Sequence, residues 1–416
     1  MSLLTSLLLL IVSARLIGRL FIRFNQPGLI GEMLAGVIVG PTLLNLIQPT
    51  PPLSGLADLA VFFIIVSSGL EMRFKDIMSA LNRRGLLLSF LSFTVPFGGG
   101  FFVAEIFELD LMRKIFIGLC ISITALPVAI KLMENLGIHR SRISKYAIAT
   151  AVTNDVAALF ILGIVLNFPQ DIGNTQVIDI VLQSTWKLIT LIVVVLTINS
   201  SLEWLHQYNI GLQWFPNMLR RYLGIDAIFG LVIIFVLAFG AMTEMLGFHF
   251  VIGTFFGALL LDKRQFLATG YQELKTTLDS MNGGFLAPVF FAYLGLKFQL
   301  DSFKDVLFPA AIITTSIATK LFAGWLGGRI IGMPHREAIG LGCVLNGRGV
   351  MELIVAGIAY QKGFIGASTF STLVLMGGVT TFLTPVLFKW VFPTSKLDEY
   401  RLSVPERPEE SIVYRD

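Results

Sequence analysis

Residues 122–127 read Ser122-Ile123-Thr124-Ala125-Leu126-Pro127, in the middle of an apolar run from about 112 to 133. A proline inside a helix removes one amide donor and displaces the carbonyl four residues earlier, so this run is not one plain helix. About 220 residues later, within the apolar run 337–360, Asn346-Gly347-Arg348-Gly349 puts two glycines and a polar pair at the matching place. In hydrocarbon, freed backbone groups are tolerated only where protein or a polar cavity satisfies them. Two interrupted helices at equivalent places therefore imply a polar site between them, with half-helix ends supplying partial charge of both signs at mid-membrane.

The composition agrees with a bilayer as solvent. Of 416 residues, 55% are hydrophobic and only 14% charged, with a mean hydropathy of +0.79. An ordinary soluble enzyme has about 45–50% apolar and about 25% charged residues. Cys120 and Cys343 lie in apolar runs without CxxC spacing, so neither a disulfide framework nor a zinc site is readable, and no cofactor is expected. The net charge of +4 is scattered between apolar segments, which argues against a nucleic-acid partner.

A bilayer core of roughly 30 Å takes about 20 apolar helical residues, and the chain divides into stretches of that length. Thirteen are legible, at about 3–23, 28–47, 53–70, 85–107, 112–133, 145–167, 176–198, 223–245, 248–262, 283–299, 305–329, 337–360 and 366–393. The expected fold class is all-α, a membrane domain over 1–394 followed by a short cytoplasmic tail over 395–416, too short for a nucleotide-binding domain. Basic residues gather in alternate loops: Arg15, Arg19 and Arg23, then Arg83 and Arg84, then Lys131, Arg142 and Lys145. By the positive-inside rule the N-terminus is outside and the C-terminus cytoplasmic. The expected location is the inner membrane of a bacterium.

The two halves of the chain look alike. Gly31 parallels Gly253, Gly69-Leu70-Glu71 parallels Gly295-Leu296-Lys297, and Gly118-Leu119-Cys120 parallels Gly340-Leu341-Gly342, with Thr124 opposite Asn346 and Pro127 opposite Gly349. One repeat then covers about 3–167 and the other about 223–393, with the stretch at 176–198 as connector. Seven is odd, so the second repeat enters from the other side and the repeats are inverted.

The sixth stretch carries Ala149-Thr150-Ala151-Val152-Thr153-Asn154-Asp155. Asp155 stands ten residues beyond Lys145, so about 15 Å up a helix, at the bilayer centre. An aspartate there costs roughly 2.5–3.5 kcal/mol on insertion scales and persists by pairing, by protonation or by binding a cation. Asn154 and Thr153 add the neutral oxygens that a dehydrating alkali ion needs. Arg348 lies near the same depth and either neutralises the cavity or pairs with Asp155 or Glu352. Lys297 and Glu71 stand nearer the ends of their stretches, where snorkelling competes with a charge-compensating role. Lys187 and Lys320 fall inside stretches with no motif around them and suggest no role.

With these residues in hand, the chain resembles the monovalent cation:proton antiporter-2 family. Gln26-Pro27-Gly28-Leu29-Ile30-Gly31-Glu32-Met33-Leu34-Ala35-Gly36 is similar to that family's opening signature, and Ser68-Gly69-Leu70-Glu71, the Pro127 break, Asn154-Asp155 and Gly295-Leu296-Lys297 follow in family order. Asn346-Gly347-Arg348-Gly349-Val350-Met351-Glu352-Leu353 is similar to the second break of the plant cation/proton exchangers. The resemblance implies a sodium/proton antiporter fold with two crossed, discontinuous helices in a core that moves like an elevator against a dimerising domain.

It also implies that Asp155 is the ion-binding carboxylate and that Lys297 matches the family's lysine. Electrogenic members usually carry two adjacent aspartates; Asn154 replaces the first, so one proton per cation and electroneutral exchange are expected. The expected function is antiport of Na+ or K+ against H+, with Asn154, Thr153 and Thr124 in the cation shell and Lys297 or Arg348 balancing the empty site. An organic-anion or weak-acid carrier held by Arg348, or a non-transporting sensor, are the other readings.

Overall fold

The structure is a computed structural model that describes residues 2–24, 26–72, 83–139, 141–168, 177–207, 226–261, 268–303, 305–393 and Tyr400. The C-terminal tail, apart from Tyr400, and the loop basic residues Arg73, Lys75, Arg220, Arg221, Lys263 and Arg264 lie outside the described residues.

A helix falls in each of the thirteen apolar stretches. They are α1 (Leu3–Arg23), α2 (Gly28–Val39), α3 (Pro51–Glu71), α4 (Arg83–Ile106), the broken pair α5 (Leu111–Ser122) and α6 (Leu126–Asn135), α7 (Arg142–Val165) and α8 (Val177–Gln207). The second half continues with α9 (Asp226–Met245), α10 (Phe250–Leu259), α11 (Ala268–Met281), α12 (Ala287–Leu296), α13 (Leu307–Ile330), the broken pair α14 (His335–Leu345) and α15 (Val350–Gln361), and α16 (Ala367–Val391). Among the described residues nine spans are long and apolar enough to cross a membrane, ten if the bent pair α14–α15 counts as one. α2 and α10 are shorter apolar helices.

Two boundaries depart from the hydropathy pattern. The stretch at 28–47 ends as a helix at Val39, because Pro41 disfavours helical backbone at the residue before it. The stretch at 283–299 is the second part of a longer rod. α11 carries so many polar residues that hydropathy alone passes over it, and it joins α12 through a π-turn at Asn282–Leu286, just before Pro288.

The helices pack in two matching sets of contacts. α2 lies on α1 as α10 lies on α9; α12 meets α2 as α3 meets α10; α5 lies on α4 as α14 lies on α13; α7 meets α4 as α16 meets α13. One bundle comprises α1–α3 and α9–α12, the other α4–α7 and α13–α16, and α8 packs on α7.

Small residues set the register. A Cβ on Gly31 would stand 2.6 Å from the Ile17 carbonyl of α1, and one on Gly253 would stand 2.1 Å from the Phe239 carbonyl of α9, so these two glycines do the same work. A Cβ on Gly100 would meet the Gly118 backbone at 3.0 Å, and one on Gly324 the Gly342 backbone at 2.3 Å. Gly118 therefore corresponds to Gly342 rather than to Gly340. In the second break this moves the correspondence two residues along, bringing Thr124 opposite Arg348 and Pro127 opposite Met351.

Candidate functional site

The two breaks meet in the second bundle. α5 stops at Ser122 and α6 starts at Leu126, with Ile123 and Ala125 extended between them. Pro127 sits in the first turn of α6 rather than in the gap. α14 stops at Leu345 and α15 starts at Val350, and the two are bent by 42°. Across the crossing the Ala125 amide donates to the Gly347 carbonyl at 3.0 Å, and the Thr124 hydroxyl donates to the Leu345 carbonyl at 3.2 Å.

The chain breaks decide where two buried cations go. The Ile123 carbonyl, in the extended gap between α5 and α6, has no helical amide to accept from, and Arg348 Nη1 donates to it. The same guanidinium donates to the Cys120 carbonyl at 3.0 Å and, through Nη2, to Ser316 Oγ at 2.8 Å. Pro96, inside α4, has no amide to offer the Ser92 carbonyl four residues back, and Lys320 Nζ donates to that carbonyl instead at 3.1 Å. Lys320 Nζ also donates to the Ser122 carbonyl at 2.5 Å and to Thr124 Oγ1 at 2.8 Å. Arg348 and Lys320 are both 0% exposed, and cations so buried persist only when paired and hydrogen-bonded.

Two acids complete the charges. Asp155, 1% exposed in the middle of α7, lies within electrostatic reach of Lys320, and its Oδ1 has no hydrogen-bond partner. It faces protein, not lipid. Glu352, in the first turn of α15, stands 3.9 Å from Arg348 Nε, an ion pair just beyond hydrogen-bonding range. Of the partners open to Arg348 from the sequence, the structure thus gives it Glu352. Asn154 is buried beside Asp155; its amide donates to Ser92 Oγ at 3.2 Å and its Oδ1 has no partner. Asn346, in the second break, donates to Thr384 Oγ1 at 3.4 Å.

Other expected members are engaged elsewhere. The half-buried Thr153 hydroxyl donates back to the Ala149 carbonyl at 2.8 Å, and Thr124 is held between Lys320 and Leu345. Lys297 follows the last residue of α12, its Nζ 4.6 Å from the Tyr293 ring centroid and 5.6 Å from that of Tyr360. It lines a small cleft with Asp58, His249 and Gln361. Glu71 is the exposed last residue of α3, in the field of Lys275 and Asp279 on α11.

Lys320 therefore holds the position at the crossing that sequence reasoning looked for in Lys297. The signal that could have found it is depth alone: a lysine halfway along an apolar stretch is by default a functional residue with a partner.

Residues 7–393 match the family described as sodium/hydrogen exchanger, transmembrane. The Na(+)/H(+) antiporter NhaS4 of Synechocystis is 29% identical, over 94% of this chain and 97% of its own length. The Na(+)/H(+)-K(+) antiporter GerN of Bacillus cereus is 23% identical, over 92% of this chain and 95% of its own. The K(+)/H(+) antiporter 1 of Saccharomyces cerevisiae is 26% identical over 95% of this chain, which spans 47% of that longer protein. The solved structure of the sodium proton antiporter MjNhaP1 from Methanocaldococcus jannaschii shares the fold, with a TM-score of 0.68 at 17% identity over 97% of this chain and 99% of that one. Because the family match runs unbroken through α1, both breaks and Asp155, the chain belongs to the sodium/hydrogen exchanger transmembrane family.

Proposed function

We propose that this protein exchanges a monovalent alkali cation, Na+ or K+, for protons across the membrane by alternating access. The observation that carries the reading is Asp155: a buried acid at mid-helix, one carboxylate oxygen without a partner, beside two crossed broken helices. A carboxylate there holds a proton or a cation, not both, and that competition is the minimum for antiport. Lys320 supplies the counter-charge when the site is empty and is repelled when a cation arrives. Arg348 and Glu352 keep the crossing neutral overall.

With Asn154 beside it, Asp155 is one titratable acid where electrogenic relatives have two, so this arm moves one proton per cation. The two repeats, joined by α8, rock the second bundle against the first, and the first bundle pairs with a second copy. The N-terminus faces out and the C-terminus the cytoplasm of a bacterial plasma membrane.

In reconstituted vesicles, a preset pH gradient should collapse on adding Na+, K+ or Li+ in a saturable way and persist in choline. Collapse in choline, or none in any alkali salt, refutes the reading. An organic-anion carrier needs a free cation to grip the substrate, and the Arg348 guanidinium is already engaged by Ile123, Cys120 and Ser316.

A further inference from the structure

Helical serines and threonines ordinarily turn their hydroxyls back to a carbonyl one turn earlier. Thr153 does so to Ala149, Ser122 to Gly118, Thr380 to Met376 and Thr384 to Thr380. Two buried hydroxyls on α4 and α7 do not. Ser89 Oγ, on a residue 3% exposed, and Thr150 Oγ1, on one 0% exposed, have no hydrogen-bond partner.

Their positions are related. α4 packs on α7, and the Asn154 amide ties the two helices at Ser92 Oγ. Ser89 lies one turn before Ser92, and Thr150 one turn before Asn154, so each shares a helix face with its partner in that bond. One traverse, α5–α6, separates α4 from α7, so the two run the same way and both hydroxyls fall on the same side of the Ser92–Asn154 bond. Asn154 Oδ1, one turn on from Thr150, and Asp155 Oδ1, on the next residue, are also buried and unpartnered. The register that pairs Gly100 and Gly118 with Gly324 and Gly342 puts Ile313 and Val374 at the matching places of the other repeat. Apolar side chains pack there, so helix packing alone does not call for hydroxyls at Ser89 and Thr150.

We propose that Ser89 and Thr150 are cation ligands: with Asn154 Oδ1 and Asp155 Oδ1 they form an alkali-cation subsite between α4 and α7, about one helical turn from the crossing. Three neutral oxygens and one carboxylate replace the water that a hard monovalent cation sheds. Of the expected oxygens, that of Thr124 already accepts from Lys320 Nζ. The inference rests on the antiporter reading of Asp155 and adds which oxygens set ion choice.

The test is exchange in vesicles over Na+, K+, Li+ and Tl+ for the wild type, S89A, T150V, the double variant, T150S and T150C. In the double variant the apparent KM for the cation should rise about tenfold or more, with a smaller change in maximal rate and an altered order among the ions. T150S, which keeps the oxygen, should stay close to wild type. T150C keeps the volume but offers a softer atom, so its preference for Tl+ over K+ should increase.

If the wild type shows no alkali-dependent exchange, the antiporter reading itself fails. If the wild type exchanges but S89A, T150V and T150C keep its KM and its ion order, the hydroxyls hold only a structural water or stand idle, and the subsite is overturned while the antiporter reading survives. Should T150V fail to insert, S89A and T150C decide by the same criteria.

Discussion

At the scale of single residues, the crossing holds two cations and two acids, and hydrogen bonds rather than close ion pairs fix the cations. Lys320 Nζ takes three acceptors, from Ser92, Ser122 and Thr124. Replacing it by methionine leaves those acceptors buried and Asp155 without its counter-charge, at a cost of about 1–3 kcal/mol for each group left unsatisfied. K320M should therefore unfold at a lower temperature in detergent, and D155N should recover part of the loss in the K320M background but not in the wild type. Equal melting of K320M and wild type would contradict this. Asp155 was legible because a lone acid in an apolar run has few innocent explanations. Lys320 was legible by its depth but not by its partners, and Ser92 and Pro96 were not legible, because their meaning arises only when α4 packs against α13, some 200 residues away in sequence.

At the scale of elements, the breaks were legible and their register was not. Proline and glycine announce where a helix stops, but packing decides which residues face one another, and the contact of Gly324 with Gly342 moved the correspondence by two residues. α11 escaped hydropathy because it is polar, and its polar side pairs with the neighbouring helix: Ser67 donates to Asp279 at 3.3 Å, and in the π-turn that follows Asn282 donates to the Phe63 carbonyl at 3.1 Å. Pro96 gives an element-level prediction. P96A restores a helical amide to the Ser92 carbonyl and removes one acceptor of Lys320, a loss of about 1–1.5 kcal/mol that slows exchange by about tenfold. The variant should melt no lower than wild type, since α4 gains a hydrogen bond. Wild-type exchange in P96A would show that the freed carbonyl does not matter.

At the scale of the whole molecule, the two bundles touch through polar contacts where α3 begins and α12 and α15 end. Gln361 Nε2 donates to Asp58 Oδ1 at 3.3 Å, and the Gln299 amide donates to Ser371 Oγ at 3.0 Å. If one bundle slides against the other during exchange, these contacts break in every cycle. A cleavable thiol-reactive cross-linker joining D58C to Q361C should block exchange and release it on cleavage; full exchange by the cross-linked protein would mean that this face does not open.

The central claim is that Asp155 is the group offered to cation and proton in turn, and the most direct measurement of it is cation-driven proton flux in vesicles containing D155N. The account predicts that the variant inserts and folds like wild type yet moves no protons in response to Na+, K+ or Li+. Alkali-dependent proton flux persisting in D155N would contradict it.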